Sequence, residues 1–433
     1  MGTDQSHRPV RVVVLGGGYS GLWAARRIAR RLGGRLRSGQ VLLTLVSAMD
    51  HHAFHGWTAE VITGDVRPEH ARAAIDRLLP AEVTRLYGEA TAVDLGDRTA
   101  TVQTTAGTRV VRYDHLVVAV GSRDARDRID GLRAHGWSVK DDGHLQALNV
   151  HLGEVAQAAT GSDPAERDRL LTAVVAGGGL AGTEMAAAIL QRLRDEVAAR
   201  PALAAAVAPG LPRVVLVHSH DRLVSDMPPR VGDYAARLVC EAGIEVRYDH
   251  RLAAVTADGA TLDDGGLVRS ATVLSALGQD VVRLPGTEHL DHDERGRLVT
   301  DAFLQTAAPG LWAGGDVAAV PRADGSGPCR SDALWAISHG KHLGDNVARA
   351  VTGRDLVPFG FRGLGRAASL GVGRGAGELY GYPLVGWPSW LMRWVLFHWF
   401  MPSRRVALAS AAGWLRRTPW PSRRVSRQGA AAS

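Results

Sequence analysis

Two cysteines are all that this chain of 433 residues carries, Cys240 and Cys329, and no CxxC or CxxxxC spacing joins them. A disulfide framework and a zinc site are therefore not expected, no other metal site is expected either, and the dithiol that a disulfide-reductase mechanism needs is missing. Cys240 falls in the helical-looking stretch 230–242, where a buried core thiol is expected. Lysine is nearly absent as well, since almost all the basic residues are arginine. The most apolar run, 389–401 (SWLMRWVLFHWFM), is shorter than the roughly twenty residues that cross a bilayer. The N-terminal MGTDQSHRPV leads straight into an apolar strand without a signal-peptide core, so a cytoplasmic location is expected. Acidic residues stop at Glu378: from Leu379 onward there are eight arginines and no Asp or Glu. The net charge of +7 thus belongs to the tail, the body is close to neutral, and nucleic-acid binding by the body is not expected.

What the chain has in abundance is glycine, 51 residues of it, much of it clustered at the ends of apolar runs. Residues 11–15 (RVVVL) read as a buried strand that enters Gly16-Gly17-Gly18-Tyr19-Ser20-Gly21 and then an amphipathic helix, with a second strand at 41–46. The same device returns at 172–176, followed by Gly177-Gly178-Gly179-Leu180-Ala181-Gly182, a helix, and a strand at 213–217. In such a turn the first glycine permits the bend and the second lets a pyrophosphate approach the backbone. The third lets the helix pack on the strand, and the helix N-terminus faces the phosphate charge. Gly16, Gly18 and Gly21, and Gly177, Gly179 and Gly182, are therefore candidate contacts to two dinucleotides. An acid that would bond a ribose is expected at the tip of each second strand, but Ser47 and His218 stand there. Its loss removes repulsion of a 2′-phosphate, and His218, His220 and Arg222 would suit NADPH. The other reading is that His218 stacks or hydrogen-bonds on the ribose of NADH. The sequence leaves both open.

Between and after the repeats lie β-like segments. Residues 98–120 alternate with a turn at Ala106-Gly107, 252–278 shows a similar pattern, and VTDAFLQTAAPGLWAGGD from 298 reads as a strand pair ending in Gly-Gly-Asp. A helix is expected at about 331–350, then a glycine-rich stretch at 360–377 and a Trp- and Arg-rich tail.

Taken together these segments resemble the two-dinucleotide-binding flavoproteins, and more closely the type II NADH dehydrogenases. Gly16–Leu22 is similar to the FAD fingerprint of that family. Asp50–Phe54 with Glu60–Gly64, Tyr113–Ser122, Gly177–Glu184 and Thr300–Asp316 are similar to its further segments. The resemblance implies an α/β fold of two Rossmann-like domains, one for FAD and one for NAD(P)H, with a C-terminal helical tail. The FAD domain would be discontinuous (1–145 and 283–365), the NAD(P)H domain would span 146–282, and the extension 366–433. It further implies FAD contacts from Tyr19, Ser20, Ala90, Ala119, Gly121, Asp316, Ala333 and Leu334, and nicotinamide contacts from Leu180 and Gly278. Glu184 would stand beside the nicotinamide as the catalytic residue. Independently of the family, a carboxylate closing a strand after two glycines, as Asp316 does, suits the hydroxyls of a ribityl chain. The N-terminus of the 331–350 helix would stabilise an anionic reduced flavin.

The chain departs from that family where the electron acceptor would lie. Leu334 and Ser338 replace two glutamines, and Gly56-Trp57-Thr58 replaces Pro-Leu-Leu. The acceptor side would be formed by 54–58 and 331–339, with Trp57 and Trp335 either as an aromatic wall or as core. The tail holds six of the eleven tryptophans, which with its arginines suits an anionic membrane surface; packing on the body or on a second subunit in a homodimer is the alternative. Residues from Ser422 read as disordered. The expected function is transfer of hydride from NAD(P)H to FAD and of electrons onward to a quinone, at the inner face of the membrane. The alternatives are a soluble flavoenzyme of specialised metabolism acting on a small organic substrate, and a flavin-bearing regulatory protein.

Overall fold

The structure, a computed structural model, describes residues 8–417. Its first unit runs β1 (Val10–Leu15), α1 (Tyr19–Arg37), β2 (Val41–Ser47), a short helix α2 (Thr58–Thr63), β3 (Val83–Tyr87) and β4 (His115–Val118). The second runs β5 (Thr172–Ala176), α3 (Leu180–Ala198), β6 (Arg213–Val217), α4 (Pro229–Ala242), β7 (Glu245–Arg247) and β8 (Thr272–Ser275). The chain then returns with β9 (Leu311–Ala313) and α5 (Ala333–Val351), and ends in β10 (Gly365–Ser369), β11 (Gly375–Leu379), β12 (Tyr382–Gly386), α6 (Trp387–Phe400) and α7 (Arg404–Arg417).

Two parallel sheets organise these elements. The first has the order β9-β4-β1-β2-β3 and the second β7-β6-β5-β8. Their central strands are continuous apolar runs rather than alternating ones, because both faces are covered: Val12–Leu15 and all of β5 are buried. Helix α5 packs on α1 through its glycines. A Cβ at Gly340 would lie 2.2 Å from the Ser20 carbonyl oxygen, and one at Gly344 would lie 2.8 Å from that of Ala24. This close crossing carries the start of α5 to the glycine turn after β1.

Three expectations need correction. The segment from 298 is not a strand pair: Leu298–Val299 pairs in parallel with Ala318–Ala319, while β9 joins the edge of the first sheet beside β4. The extension is not purely helical, since β10, β11 and β12 form an antiparallel sheet before the helices begin. Cys240 is exposed, because α4 buries Val231, Ala235, Leu238 and Val239, and position 240 falls on the outer face. Residues from Ser422 lie outside the described residues.

The last two helices pack into the core of the second unit. Trp57, fully buried, meets Phe397 (ring centroids 5.4 Å apart), His398 (4.8 Å) and Trp414 (6.4 Å), and its indole N–H points at the Met401 sulfur at 3.5 Å. Gly56 makes room for this, as a Cβ there would stand 2.9 Å from the Phe397 ring. Helix α6 is inverted in character: it buries Ser389 and Arg393 and exposes Trp387, Val395 and Trp399.

Candidate active site

The two glycine turns are superposable in their internal contacts. Gly16 and Gly177 have φ of +112° and +110°, which an L side chain rarely adopts. A Cβ at Gly21 would stand 1.8 Å from the Gly16 carbonyl oxygen, and one at Gly182 would stand 1.7 Å from that of Gly177. The third glycine is therefore what lets each helix start directly beneath its own turn. At Gly18 and Gly179 a Cβ would meet nothing within 4 Å. Each turn thus has tight glycines facing the protein and one glycine facing open space at a helix N-terminus, the arrangement that a pyrophosphate requires.

Of the two turns, only the first lines the large cleft with its glycines. A cavity of about 810 Å³ gathers Gly16, Gly18, Tyr19, Ser20, Ser47, Ala90, Ala119, Gly121, Gly278, Asp316, Ala333 and Glu184 of the expected residues, a size within the usual range of ligand pockets. Gly21, Gly177, Gly179, Leu180, Gly182, His218 and Leu334 do not line it, although Ala181 and Met185 do. Gly21 and Gly182 lie under their turns. Leu334 is turned to the flank of α5, and its carbonyl accepts the Ser338 hydroxyl at 3.0 Å. The cleft therefore sees Ser331, Asp332, Ala333 and Ala336 from this helix, and the two residues that replace glutamines are outside it. Trp57 and Trp335 are core rather than wall; Trp335 packs against Phe361 at 5.0 Å.

Ser47 and His218 differ in what they leave free. The Ser47 hydroxyl donates to the Met49 carbonyl (2.7 Å), and the small side chain stays on the cavity wall. His218 fills the corresponding place: Nδ1 accepts the Gly178 N–H at 3.1 Å and Nε2 donates to the Arg222 carbonyl at 3.0 Å. Burial holds its pKa below the usual histidine value, so the ring is neutral near pH 7 with both nitrogens engaged by backbone. The expectation that His218 reaches a ribose or a 2′-phosphate with a ring nitrogen is corrected on that ground. Arg222 is also occupied, donating to the Ser225 carbonyl at 3.0 Å.

Asp316 ends the Gly314-Gly315 turn with its Oδ2 held by the Ser122 hydroxyl at 2.6 Å and by the Lys140 ammonium at 3.0 Å. Lys140 also donates to the Gln279 side chain at 2.7 Å. Beside the first turn, His52 donates from Nδ1 to the Gly17 carbonyl at 3.2 Å, and its buried Nε2 has no partner among the described residues. Burial pushes the His52 pKa down to about 3, so it is a neutral ring supporting the turn.

Glu184 is on the cleft wall and is held from outside the second unit. Its Oε1 accepts the Ser369 N–H at 2.7 Å and the Arg393 guanidinium at 2.7 Å. Arg393, 2% exposed, also bonds Glu60 at 2.6 Å and the Gly56 carbonyl at 2.8 Å. One guanidinium therefore joins α6, α2 and α3. Burial, opposed by Arg393 and reinforced by Glu60, holds the Glu184 carboxyl above the usual carboxylate range. Both bonds fall on Oε1; no protein donor bonds Oε2 among the described residues, which leaves that oxygen for a ligand in the cleft.

Sequence reasoning missed Lys140, His52 and the role of Arg393. Lys140 had a signal, being one of only two lysines in the chain. Arg393 had one too: a lone cation in the middle of an apolar helix needs a buried partner. His52 had none beyond its place in the 50–54 segment.

Residues 10–338 match the family described as pyridine nucleotide-disulphide oxidoreductase. The chain belongs to this family. An NADH dehydrogenase-like protein of Mycobacterium tuberculosis is 31% identical over 344 residues, 77% of this chain and 78% of the relative. A type II NADH:quinone oxidoreductase of the same organism is 28% identical over 93% of this chain and 86% of its own length. The demethylphylloquinone reductase of Synechocystis is 24% identical over 94% and 96%. In fold, the chain is similar to NDH2 of Plasmodium falciparum, solved in complex with NADH, with a TM-score of 0.82 at 14% identity over 94% of this chain and 98% of the other. This member of the family works without a dithiol: Cys329 is buried, its thiol pushed up to about 12 by burial, and Cys240 is exposed and unpaired with it.

Proposed function

We propose that the protein is an FAD-dependent oxidoreductase that takes hydride from NADH and delivers two electrons to a quinone. The observation that carries the reading is the single cleft in which the first glycine turn, Asp316 and Glu184 meet. When bound, FAD supplies the hydride acceptor and then the two-electron donor, so that NADH, a proton and quinone yield NAD⁺ and quinol. Gly16 and Gly18 with the start of α1 would hold the pyrophosphate, Ala90, Ala119 and Gly121 would line the bound group, and Asp316 would bond its ribityl hydroxyls. Ala333 and the start of α5 would meet the flavin ring. Glu184 Oε2 would accept a hydrogen bond from the nicotinamide carboxamide, with Arg393 and the Ser369 N–H positioning it. Gly177, Gly179, Leu180 and Gly182 would hold NADH at the outer edge. The neutral, engaged His218 and the occupied Arg222 support NADH over NADPH. The relatives named for NADH and quinone support the substrate pair. The two parallel sheets support a division of the chain into 1–145 with 283–365 and 146–282, followed by the extension 366–433.

A membrane setting is part of this reading. Trp387, Val395 and Trp399 face outward on α6 while its arginine faces inward, the orientation of a helix lying in a membrane interface. No helix among the described residues is long and apolar enough to cross a membrane. A homodimer covering the same face would show as a doubled mass in the absence of lipid. One observation favours the second reading, a flavoenzyme acting on another small organic acceptor: the residues at the start of α5 that line the cleft, Ser331, Asp332, Ala333 and Ala336, offer no amide side chain.

Anaerobic reduction of the flavoprotein by each nucleotide, then reoxidation by a quinone, ferricyanide or air, decides between them. NADH should reduce the flavin at least about tenfold faster than NADPH, and quinone should reoxidise it rapidly. Rapid reaction with air and none with quinone would overturn the quinone reading. Glu184→Gln should slow reduction by NADH about tenfold, the scale of one charge-assisted hydrogen bond; an unchanged rate removes its assigned role.

A further inference from the structure

A second cavity of about 810 Å³ lies along the later turns of α1, from Trp23 to Arg37, between α1, the exposed side of α5 and the corner joining α6 to α7. Its wall is basic. Arg26, Arg30 and Arg37 come from α1, Lys341 from α5 and Arg404 from the start of α7, against the single carboxylate of Glu82. Arg27 and Arg31 are already neutralised by Asp345, each at 2.6 Å. Among the described residues no carboxylate pairs with the other five cations. The cations crowd one another: the pKa of Arg26 is lowered by burial and then by Arg404, and that of Lys341 by burial and then by Arg27 and Arg26. The groove is also built. Arg26 donates to the Pro402 carbonyl at 3.0 Å, tying α1 to the corner, and Arg404 lies 4.9 Å over the Trp399 ring. Lys341, the other of the chain's two lysines, sits 5.7 Å over Phe400.

Five cations held together in a fixed concavity with one unpaired carboxylate, Glu82, among them point to a missing anion. The rim indicates its kind. Trp399 is 65% exposed at the mouth, and Val395 and Trp387 continue the outward apolar face of α6. A ligand filling both parts has a phosphate at one end and an apolar body at the other.

We propose that this groove binds the phosphate headgroup of an anionic phospholipid, with the acyl region against Trp399 and Val395. The inference rests on the membrane part of the reading above and adds a specific site to it. The lipid site is made by α1 and α5 of the flavin unit as well as by the tail, so docking fixes how that unit sits on the membrane. A free phosphate or pyrophosphate shares the headgroup chemistry, and the rim is what favours lipid.

The test is flotation of the full-length flavoprotein with vesicles of phosphatidylcholine alone or with added phosphatidylglycerol. Binding should require phosphatidylglycerol. Arg30→Glu with Arg404→Glu should lower the vesicle-bound fraction by about tenfold or more, and Arg30→Glu with Arg37→Glu should do the same without touching the corner. Arg109→Glu with Arg112→Glu, an equal charge change on an exposed strand elsewhere, should leave binding within about twofold. NADH–ferricyanide turnover should be unchanged in all three. Equal losses in groove and control variants, or no loss in the groove variants, would overturn the proposal. So would titration showing pyrophosphate binding that the groove variants abolish while vesicles fail to bind. Groove-dependent vesicle binding by a protein that cannot reduce quinone would leave this proposal standing and remove the quinone reading instead.

Discussion

The two glycine turns share one backbone and differ in what surrounds them. Gly16–Gly21 and Gly177–Gly182 agree in positive φ, in the close packing of the third glycine and in the open space at the second. Yet the first turn forms the floor of a deep cleft, and none of Gly177, Gly178 or Gly179 lines it. The difference comes from one residue at the tip of the next strand and from the elements beyond it. Ser47 is small and leaves space, whereas His218 fills it. Around the first turn, β4, the Gly314–Asp316 turn and α5 wall off a cavity. The lesson is that one turn can serve a resident cofactor or an exchanging one, depending on how much of the protein closes over it.

The strongest way to break this comparison is to fill the open space in each turn. Gly18 and Gly179 both have ordinary extended φ and ψ as helix caps, so valine fits the backbone at either position. Gly18→Val should yield folded protein without flavin, seen as loss of the visible absorbance. Gly179→Val should keep its flavin and lose reduction by NADH. Flavin loss in both, or in neither, would show that the turns do not divide the work.

A smaller effect tests how the units are joined. Arg393→Met leaves Glu60 and Glu184 buried without their cation and should cost about 3–5 kcal/mol in chemical denaturation. Adding Glu60→Gln should recover part of it. If Arg393→Met is neutral, the guanidinium does not hold α6 to the cleft.

The smallest effect compares the histidines that support each turn. A buried neutral histidine has its pKa below the unfolded value of about 6.5, so the unfolded chain binds the extra proton and stability falls as pH drops below that value. For His52 the loss continues toward its folded pKa of about 3. His52→Gln, which keeps a donor to the Gly17 carbonyl, should flatten the dependence between about pH 4 and 6 by about 1.4 kcal/mol per pH unit. His218 shifts in the same direction, but protonation there also costs the acceptor of the Gly178 N–H. NADH affinity should therefore weaken in acid before flavin is released, and release of flavin first would reverse that order.

The tail shows where local pattern stopped being informative. Residues 389–401 read as an apolar run next to arginines, which suits a membrane surface, with packing on the body or on a second subunit as the alternative. In the structure one face of the helix packs on the body, with Phe397 and Arg393 facing inward to Trp57 and to two carboxylates, while Trp387, Val395 and Trp399 face out. Periodicity does not separate these faces, because the helix is apolar all round and its one charge is on the buried side. The change at Gly56-Trp57 reads as an altered acceptor site, but in the structure Trp57 packs on Phe397 from the far end of the chain and Gly56 leaves room for that ring.

By itself the sequence determined the two βαβ units, the spacing of their turns, the absence of a dithiol and the choice of Asp316 and Glu184, which line one cleft. These are legible because strand runs, glycine requirements and helix starts are set by interactions within a few residues of chain. Only the tertiary structure decided that His218 is plugged rather than free, that Leu334 and Ser338 lie off the cleft, that Lys140 meets Asp316, and that Arg393 locks Glu184. Each of those depends on which side chains long-range packing brings within about 3 Å.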